Sequence, residues 1–272
     1  MKKERRSNFL WNAMLVLAIA VFLFSSYQLY SIFSEYKEGT DQYVDISDQV
    51  VDKPIEPPVI VEEKEVINDE GEVEVLYPKL PEYPAPEVDF EELQSINSDV
   101  IGWIEVEAIP SISYPIVQAK DNDYYLKRTI YKKYNSAGSI FVDYTNSGTF
   151  SDCNTIIYGH NMKNGSMFGA LSDLYEKGKY KDSPYIWICT PKCKHRYEIF
   201  SMQYAHVNSK TYTFYQTHGE EFQQYLMEMA DSSEVDFQTP YLSGDDFIIT
   251  LSTCSYNKNI RFVVQARWIA TY

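Results

Sequence analysis

The chain has 272 residues, of which 44% are hydrophobic and 15% aromatic, including 24 tyrosines and 14 phenylalanines. This is enough apolar surface for one or two folded domains with a sizeable core. The formal net charge of −15 argues against a nucleic acid as partner, because domains that bind nucleic acids carry an excess of lysine and arginine.

The N-terminus has the composition of a membrane anchor. Four basic residues lie within the first six positions, and a continuous apolar run over residues 13–24 follows, extended by aromatic-rich flanks to residues 9–33. About 20 apolar residues span a bilayer as a helix. The alternative, a cleaved signal peptide, needs a small-x-small site after the run, and FSSYQLYSIF offers no convincing one. We expect a cytoplasmic basic tail at residues 1–8, a transmembrane signal anchor at 9–33 and the rest of the chain outside the cell membrane.

Residues 34–86 have a different composition. From Glu38 to Pro86, fourteen acidic residues are opposed by three lysines, and seven of the twelve prolines lie here. Short valine-rich patches interrupt the segment without a sustained period. A self-repelling, proline-rich sequence is typical of an extended segment, and a small β-domain is the alternative. We expect an acidic, proline-rich extracellular stalk at residues 34–86 that holds a catalytic domain, residues 87–272, away from the membrane.

From Val88 onwards the sequence predicts a mainly β domain with helices. Phe90, Leu93 and Ile96 recur at helical spacing and predict a short helix. Two further helices are predicted in SMFGALSDLY and GEEFQQYLMEMA. Eight short segments rich in aromatic or β-branched residues predict strands: GWIEVEAI, ISYPIVQ, GSIFVDY, CNTIIYGH, YIWICT, RYEIFSMQYAHV, DFIITLST and RFVVQARWIA. Eight short strands with few helices favour an antiparallel barrel with helical insertions.

The four cysteines do not form a dense disulfide framework. Cys189 and Cys193, in CTPKC, allow a hairpin disulfide or half of a metal site, with His195 as the one further ligand type nearby. Two ordinary thiols are the favoured interpretation, and we expect no metal site.

Cys254 and His160 each lie at the end of an apolar strand. A cysteine nucleophile needs a stabilised thiolate, a proton donor for the leaving group and a partner for the developing oxyanion. A hairpin through SYNKNI would bring Arg261 beside Cys254, and a nearby cation lowers the pKa of a thiol. From spacing alone, a buried structural thiol, a structural histidine and a surface arginine remain as alternatives.

Three stretches resemble the sortase family. TLSTCSYNKNIRFVVQARW resembles the sortase active-site signature, in which a Thr-Leu-x-Thr-Cys strand leads to an arginine at the start of the next strand. YGHNMKNGSMFGAL resembles the histidine segment of class B sortases, and NSDVIGWIEVEAIPSISYPIVQAKDNDYYLKR resembles the start of their catalytic domain. The resemblance implies a sortase-like eight-stranded β-barrel, an N-terminal helical subdomain and a helix in the insertion between strands six and seven.

The same resemblance implies roles for individual residues. Cys254 would be the nucleophile that attacks the Thr carbonyl of a C-terminal sorting signal, His160 the general acid and base, and Arg261 the group that stabilises the oxyanion and substrate. Five more residues would bind substrate: Asn122, Leu126, Thr211, Tyr215 and Ser252. The partners would be surface proteins that bear sorting signals and an amine of a peptidoglycan precursor or cross-bridge. No cofactor or metal is implied.

Other functions fit part of this pattern. A class D-type sortase has the same chemistry, although GSMFGAL and the predicted helical insertion favour class B. A membrane-tethered cysteine endopeptidase would use the same nucleophile and pass the acyl group to water. A non-catalytic wall-binding module would form no thioester, and the joint presence of Cys254, His160 and Arg261 disfavours it.

Overall fold

The structure, a computed structural model, describes residues 2–52, 64–67, 73–76, 84–238, 242–254 and 259–272. For residues 2–10, 64–67, 73–76 and Cys254, the structure describes the backbone only. The α-helices of the described part are α1 (Lys2–Val50), α2 (Phe90–Ile96), α3 (Asp173–Glu176) and α4 (Glu220–Asp231). Its strands are β1 (Val51–Asp52), β2 (Lys64–Ile67), β3 (Val73–Leu76), β4 (Glu87–Val88), β5 (Val100–Val106), β6 (Ile109–Val117), β7 (Ile140–Val142), β8 (Asn154–Gly159), β9 (Tyr185–Cys189), β10 (Lys194–His206), β11 (Ile248–Cys254) and β12 (Ile260–Thr271).

Strands β5 to β12 close into one barrel, in the order β10-β12-β11-β8-β7-β6-β5-β9, and β9 pairs with β10 to complete it. Closure leaves these strands no open edge. The interior is filled by large side chains, among them Trp103, Ile112, Tyr197 and Phe262. The eight strands coincide with the eight predicted segments to within three residues at each end, so the predicted eight-stranded barrel is confirmed.

The barrel is mixed rather than wholly antiparallel. β6 pairs in parallel with β7, and β8 pairs in parallel with β11. Both pairs are joined by long connections, which allow the chain to re-enter in the same direction. The parallel pair β8–β11 matters for function, because it brings the carboxyl ends of both strands to the same end of the barrel.

The predicted helical insertion is present as α4, between the sixth and seventh barrel strands, β10 and β11. It buries Phe222, Tyr225, Leu226 and Met229, which recur at helical spacing within the predicted segment GEEFQQYLMEMA. The helix predicted over SMFGALSDLY is confined to Asp173–Glu176. The preceding residues form turns, in which Gly169 packs so closely that an added Cβ would lie 2.4 Å from the Met162 carbonyl oxygen.

Helix α1 extends well beyond the predicted anchor. Residues 34–50, expected to begin an extended stalk, are helical, and Tyr43, Ile46 and Val50 are buried against the barrel. Their spacing of three and four residues forms an apolar stripe on one face of the helix. The acidic residues of this stretch dominate its composition and conceal the stripe. β2 and β3 pair as an antiparallel hairpin, and the rest of the predicted stalk up to residue 83 lies outside the described residues.

The end of α1, the short pair β1–β4 and helix α2 together form the N-terminal part of the fold. Val51 pairs with Val88, and Asp89 caps α2 by accepting a hydrogen bond from the Glu92 amide at 2.9 Å. Leu93 is the buried residue of α2. The predicted helix at residues 90–96 and the N-terminal helical subdomain are thereby confirmed.

Candidate active site

The register of three neighbouring strands brings His160, Cys254 and Arg261 to one end of the barrel. In the parallel pair β8–β11, Gly159 lies beside Thr253. His160 directly follows β8, and Cys254 is the last residue of β11. In the antiparallel pair β11–β12, Cys254 lies opposite Arg261. Adjacent strands are about 4.8 Å apart, so the three backbones are immediate neighbours. Residues 255–258, most of the predicted SYNKNI loop, lie outside the described residues.

A cavity of about 200 Å³ opens at this end of the barrel. Five predicted site residues line it: Asn122, Leu126, His160, Ser252 and Arg261. Residues that were not predicted complete the lining: Asp123, Phe141, Tyr158, Gly159 and Thr253. An apolar pocket with a few converging polar groups is the usual form of a ligand site.

The His160 side chain is held by the cavity wall. Its Nε2 lies 2.7 Å from the Leu126 carbonyl, and because a carbonyl accepts, Nε2 carries the hydrogen. The Phe168 amide donates to the His160 carbonyl at 3.0 Å and fixes the backbone. A neutral ring in this position presents its lone pair at Nδ1.

Leu126 itself is fixed by the buried residue that precedes it. Leu126 lies in a 3-10 turn over Tyr125–Lys127. The Tyr125 hydroxyl donates to Asp99 at 2.7 Å and accepts from the Asn97 amide at 2.8 Å. Burial raises the pKa of Tyr125 well above its ordinary value. The hydrogen bond from Asn97 lowers this pKa, whereas the Asp99 carboxylate raises it further. Tyr125 therefore remains a protonated hydrogen-bond donor that secures the turn.

A buried carboxylate organises the opposite part of the cavity. Asp143 Oδ2 accepts from the Asn122 amide at 2.8 Å and from the Tyr158 hydroxyl at 3.0 Å, and Oδ1 accepts from Thr145. Burial and then the negative charge of Asp143 raise the pKa of Tyr158, so its hydroxyl stays protonated. Tyr158 was missed from sequence, although it precedes His160 by two residues and a strand period of two directs both to one face.

Two hydroxyl residues of β11 border the cavity. Ser252 Oγ lies 2.8 Å from the Tyr212 hydroxyl, which connects the strand to the β10–β11 insertion. Thr253 is 2% exposed, and its hydroxyl has no hydrogen-bond partner among the described residues. A buried hydroxyl without a partner costs free energy unless a bound ligand supplies one.

Thr211 and Tyr215, which the resemblance implied as substrate-binding residues, do not line the cavity. Thr211 is buried in the 3-10 turn Lys210–Tyr212, and its carbonyl accepts from the Tyr225 hydroxyl at 3.0 Å. The ring of Tyr215 packs on Phe222 and Tyr225, with centroids 5.2 Å and 5.0 Å away. Both residues fix the insertion on α4, and Tyr212 between them is the residue that reaches Ser252.

Comparisons with known proteins agree with this architecture. The family model described as Sortase domain matches residues 104–269. Sortase B of Listeria monocytogenes serovar 1/2a is 38% identical over 189 residues, covering 66% of this chain and 74% of that protein. Sortase B of Staphylococcus aureus is 30% identical over 196 residues, covering 70% of this chain and 78% of that protein.

Solved structures give the same result. The crystal structure of sortase B from B. anthracis in complex with AAEK1 superimposes with a TM-score of 0.65 at 30% identity, covering 87% of this chain and 99% of that one. The Staphylococcus aureus sortase B–substrate complex superimposes with a TM-score of 0.61 at 31% identity, covering 66% and 84%. The chain belongs to the sortase family, and it is a class B sortase, a cysteine transpeptidase.

Proposed function

We propose that this protein is a membrane-anchored transpeptidase that cleaves a C-terminal sorting signal of surface proteins after Thr and transfers them to a peptidoglycan amine. The observation that carries the proposal is the strand register at one barrel end. Cys254 lies opposite Arg261 in the pair β11–β12. In the pair β8–β11, Thr253 lies beside Gly159, so the residues that follow them, Cys254 and His160, are also neighbours. A nucleophile, a proton carrier and a permanent cation at one end of the barrel are the groups that acyl transfer requires.

In the first half of the reaction, His160 Nδ1 takes the Cys254 thiol proton, and the thiolate attacks the Thr carbonyl carbon. Arg261 stabilises the oxyanion that forms. The hydrogen bond from Nε2 to the Leu126 carbonyl stabilises the imidazolium and keeps Nδ1 directed to the reacting atoms. Nδ1 then protonates the departing amine, which leaves a thioester on Cys254.

In the second half, an amine of a peptidoglycan precursor or cross-bridge attacks the thioester. His160 removes a proton from this amine, and the Cys254 thiolate leaves and is reprotonated. Asn122, Leu126 and Ser252 line the cavity and are proposed to contact the sorting signal. We assign Thr211 and Tyr215 to the support of Tyr212 and the insertion, rather than to direct contact.

The anchor proposed for residues 9–33 rests on exposure as well as composition. Trp11–Val50 is long enough and apolar enough to cross a membrane, by length and composition only. Large apolar side chains along it are exposed, such as Phe22 at 69% and Phe33 at 78%, and a bilayer would cover them. With the basic tail in the cytoplasm, a single-pass anchor holds the catalytic domain, residues 87–272, outside the cell membrane.

The proposal is tested with the detergent-solubilised full chain, a library of sorting-signal peptides and mass spectrometry of the products. Cys254→Ala and His160→Ala should each abolish cleavage, and Arg261→Ala should reduce it strongly. Cys189→Ala, a change of a buried thiol in β9, is the control and should cleave as the wild type does. Cleavage by Cys254→Ala at the wild-type rate would falsify the mechanism. Product formed with and without an added amine separates transpeptidation from hydrolysis by water.

A further inference from the structure

A cysteine and a histidine are hydrogen-bonded at the end of the barrel that lies away from His160. Cys193 Sγ lies 3.1 Å from His195 Nε2, and His195 Nδ1 lies 2.9 Å from Thr271 Oγ1. Cys193 is in the turn between β9 and β10, His195 is in β10, and Thr271 is its register partner in β12. This order of thiol, imidazole and orienting oxygen is the arrangement that activates a nucleophilic thiol.

The turn fixes the thiol while leaving it accessible. The Thr190 hydroxyl lies 3.4 Å from Cys193 Sγ, and it accepts from the Cys193 amide at 3.1 Å. Cys193 is half-buried, whereas the His195 ring is buried against Trp268, with ring centroids 4.6 Å apart. Part of Cys193 is therefore accessible to solvent, whereas the histidine that holds it is not.

Burial lowers the pKa of His195 below its ordinary value, so the ring is neutral at pH 7. A neutral ring with both nitrogens engaged has one donor and one acceptor. In the tautomer whose hydrogen lies on Nδ1, Nδ1–H donates to Thr271 Oγ1 and Nε2 accepts the Cys193 S–H, which places His195 as a base for this thiol.

The neighbouring Cys189 provides a contrast within the same hairpin. Both Cys189 and Cys193 are free thiols, although a disulfide between them was one of the sequence-based alternatives. Cys189 is 1% exposed, and its S–H donates to the Pro86 carbonyl at 3.7 Å. Burial raises the pKa of Cys189 to about 12, so this buried thiol is inert.

The cluster is remote from the proposed catalytic residues. β12 carries Arg261 near its start and Thr271 at its end. At about 3.3 Å per residue these positions are roughly 30 Å apart. Chemistry at Cys193 therefore leaves the cavity that contains His160 undisturbed.

We propose that Cys193 is a reactive thiol that forms mixed disulfides with low-molecular-weight disulfides. His195 Nε2 takes the thiol proton, and the sulfur attacks one sulfur of the small disulfide. The S–S bond of that disulfide breaks as the new S–S bond forms, and the departing thiolate receives the proton from Nε2. One disulfide and one thiol are consumed and one of each is formed, so no further oxidant is needed.

The test uses the full chain in detergent with the Cys254→Ala change, which makes the outcome independent of the proposed catalytic nucleophile. Glutathione disulfide is the probe, and intact-mass spectrometry with peptide mapping locates the adduct. We expect one glutathionyl group on Cys193 and none on Cys189. Addition should be about tenfold or more slower in His195→Gln, because general-base assistance is lost. Cys193→Ala combined with Cys254→Ala should remove the adduct, and Cys193→Ala in the otherwise wild-type chain should leave transpeptidation unchanged.

The rate at Cys193 in the urea-unfolded chain is the reference for a thiol without its histidine. Native Cys193 should react faster than this reference, and Thr271→Val should lie between wild type and His195→Gln. If His195→Gln lacks a cooperative thermal transition, Thr271→Val and the unfolded reference decide the result. Equal rates in the native and unfolded chains, equal rates in wild type and the folded variants, or an adduct on Cys189 would overturn the proposal.

Discussion

Tyr43, in the last two turns of α1, donates a hydrogen bond of 2.7 Å to the carbonyl of Gly138, 95 residues further along the chain. Its hydroxyl also lies 2.9 Å from the Ser139 hydroxyl. Gly138 in turn lies against the Leu126 carbonyl, the acceptor for the His160 ring. The helix that leads out of the proposed anchor therefore contacts the loop that forms one wall of the cavity containing His160.

Tyr43→Phe removes this hydroxyl and leaves the ring, which packs on Tyr114 with centroids 5.5 Å apart. The Gly138 carbonyl and Ser139 hydroxyl then lose a buried partner, which should lower the free energy of unfolding by about 1–2 kcal/mol. Val44→Ala, on the exposed face of α1, is the control and should change it by no more than about 0.5 kcal/mol. Urea unfolding of the 34–272 fragment measures the free energy of unfolding of both variants. Equal losses in Tyr43→Phe and Val44→Ala would show that the Tyr43 hydroxyl has no structural role.

A fragment that begins at residue 87, the expected start of the catalytic domain, loses the docked part of α1. Ile46, which is fully buried, and Val50 are absent from it, and the surface they cover becomes exposed. Because each such side chain contributes about 1.5–3 kcal/mol when buried, the 34–272 fragment should be more stable by several kcal/mol. Thermal unfolding of the two fragments is the measurement. Matching midpoints would show that the helix docks without stabilising the barrel.

The sequence allowed the barrel to be predicted because each strand carries its own local signal, such as the alternating and β-branched residues of TIIYG or FIITL. The pairing of β8 with β11 has no local signal, since their contact depends on register across nearly a hundred residues. Likewise, the Asp143 network joins Asn122 and Tyr158 from separate segments, and only the folded chain unites them. In residues 34–50 the acidic composition is more prominent than the short apolar stripe, so the sequence predicts an extended stalk where the structure has the end of α1.

Asp143→Ala should weaken substrate binding more than catalysis. Without the carboxylate, Asn122 and Tyr158 lose the acceptor that holds them at the cavity. The lost hydrogen bonds correspond to about 1–2 kcal/mol, so KM should rise roughly tenfold while kcat changes less. Thr145→Val, which removes the hydroxyl donor to Oδ1 only, is the control and should leave KM near the wild-type value. Steady-state kinetics with a sorting-signal peptide measures KM and kcat separately. A loss in kcat alone would contradict the proposal that Asp143 holds Asn122 and Tyr158 for substrate binding.

His195 gives the protein a specific dependence of stability on pH. Burial lowers the pKa of His195 in the folded state, so the unfolded chain binds a proton first as the pH falls. Stability from this group is therefore fully present above the ordinary histidine pKa of about 6.5 and is lost as the pH falls from there towards the folded-state pKa. His195→Gln should make the decline in unfolding free energy below pH 6.5 shallower. Cys193→Ser, the control, keeps the His195 ring and a partner for Nε2, so its unfolding free energy should fall with pH as steeply as that of the wild type. The same slope in the wild type and both variants would exclude His195 as the source of the pH dependence.

Gly138→Ala tests the link between the loop and His160, the proposed catalytic histidine. Gly138 has a positive φ of 62°, and an added Cβ would lie 2.6 Å from the Leu126 carbonyl oxygen. That oxygen accepts the hydrogen bond from His160 Nε2, so its displacement should misdirect the imidazole and lower kcat by about tenfold or more.

Gly178→Ala is the matched control for this change. Gly178 has a similar φ of 67°, but a Cβ there meets no atom within 4 Å. Gly178→Ala should cost about 1–2 kcal/mol of stability, because a side chain is strained in the left-handed region. Gly138→Ala should cost more, because its Cβ also meets the Leu126 carbonyl. Only Gly138→Ala should reduce kcat, since only its Cβ pushes on the acceptor of the His160 ring. Unfolding curves and peptide-cleavage rates measured together separate strain from misalignment, and an equal loss of kcat in both variants would leave the Leu126 carbonyl without a role in orienting His160.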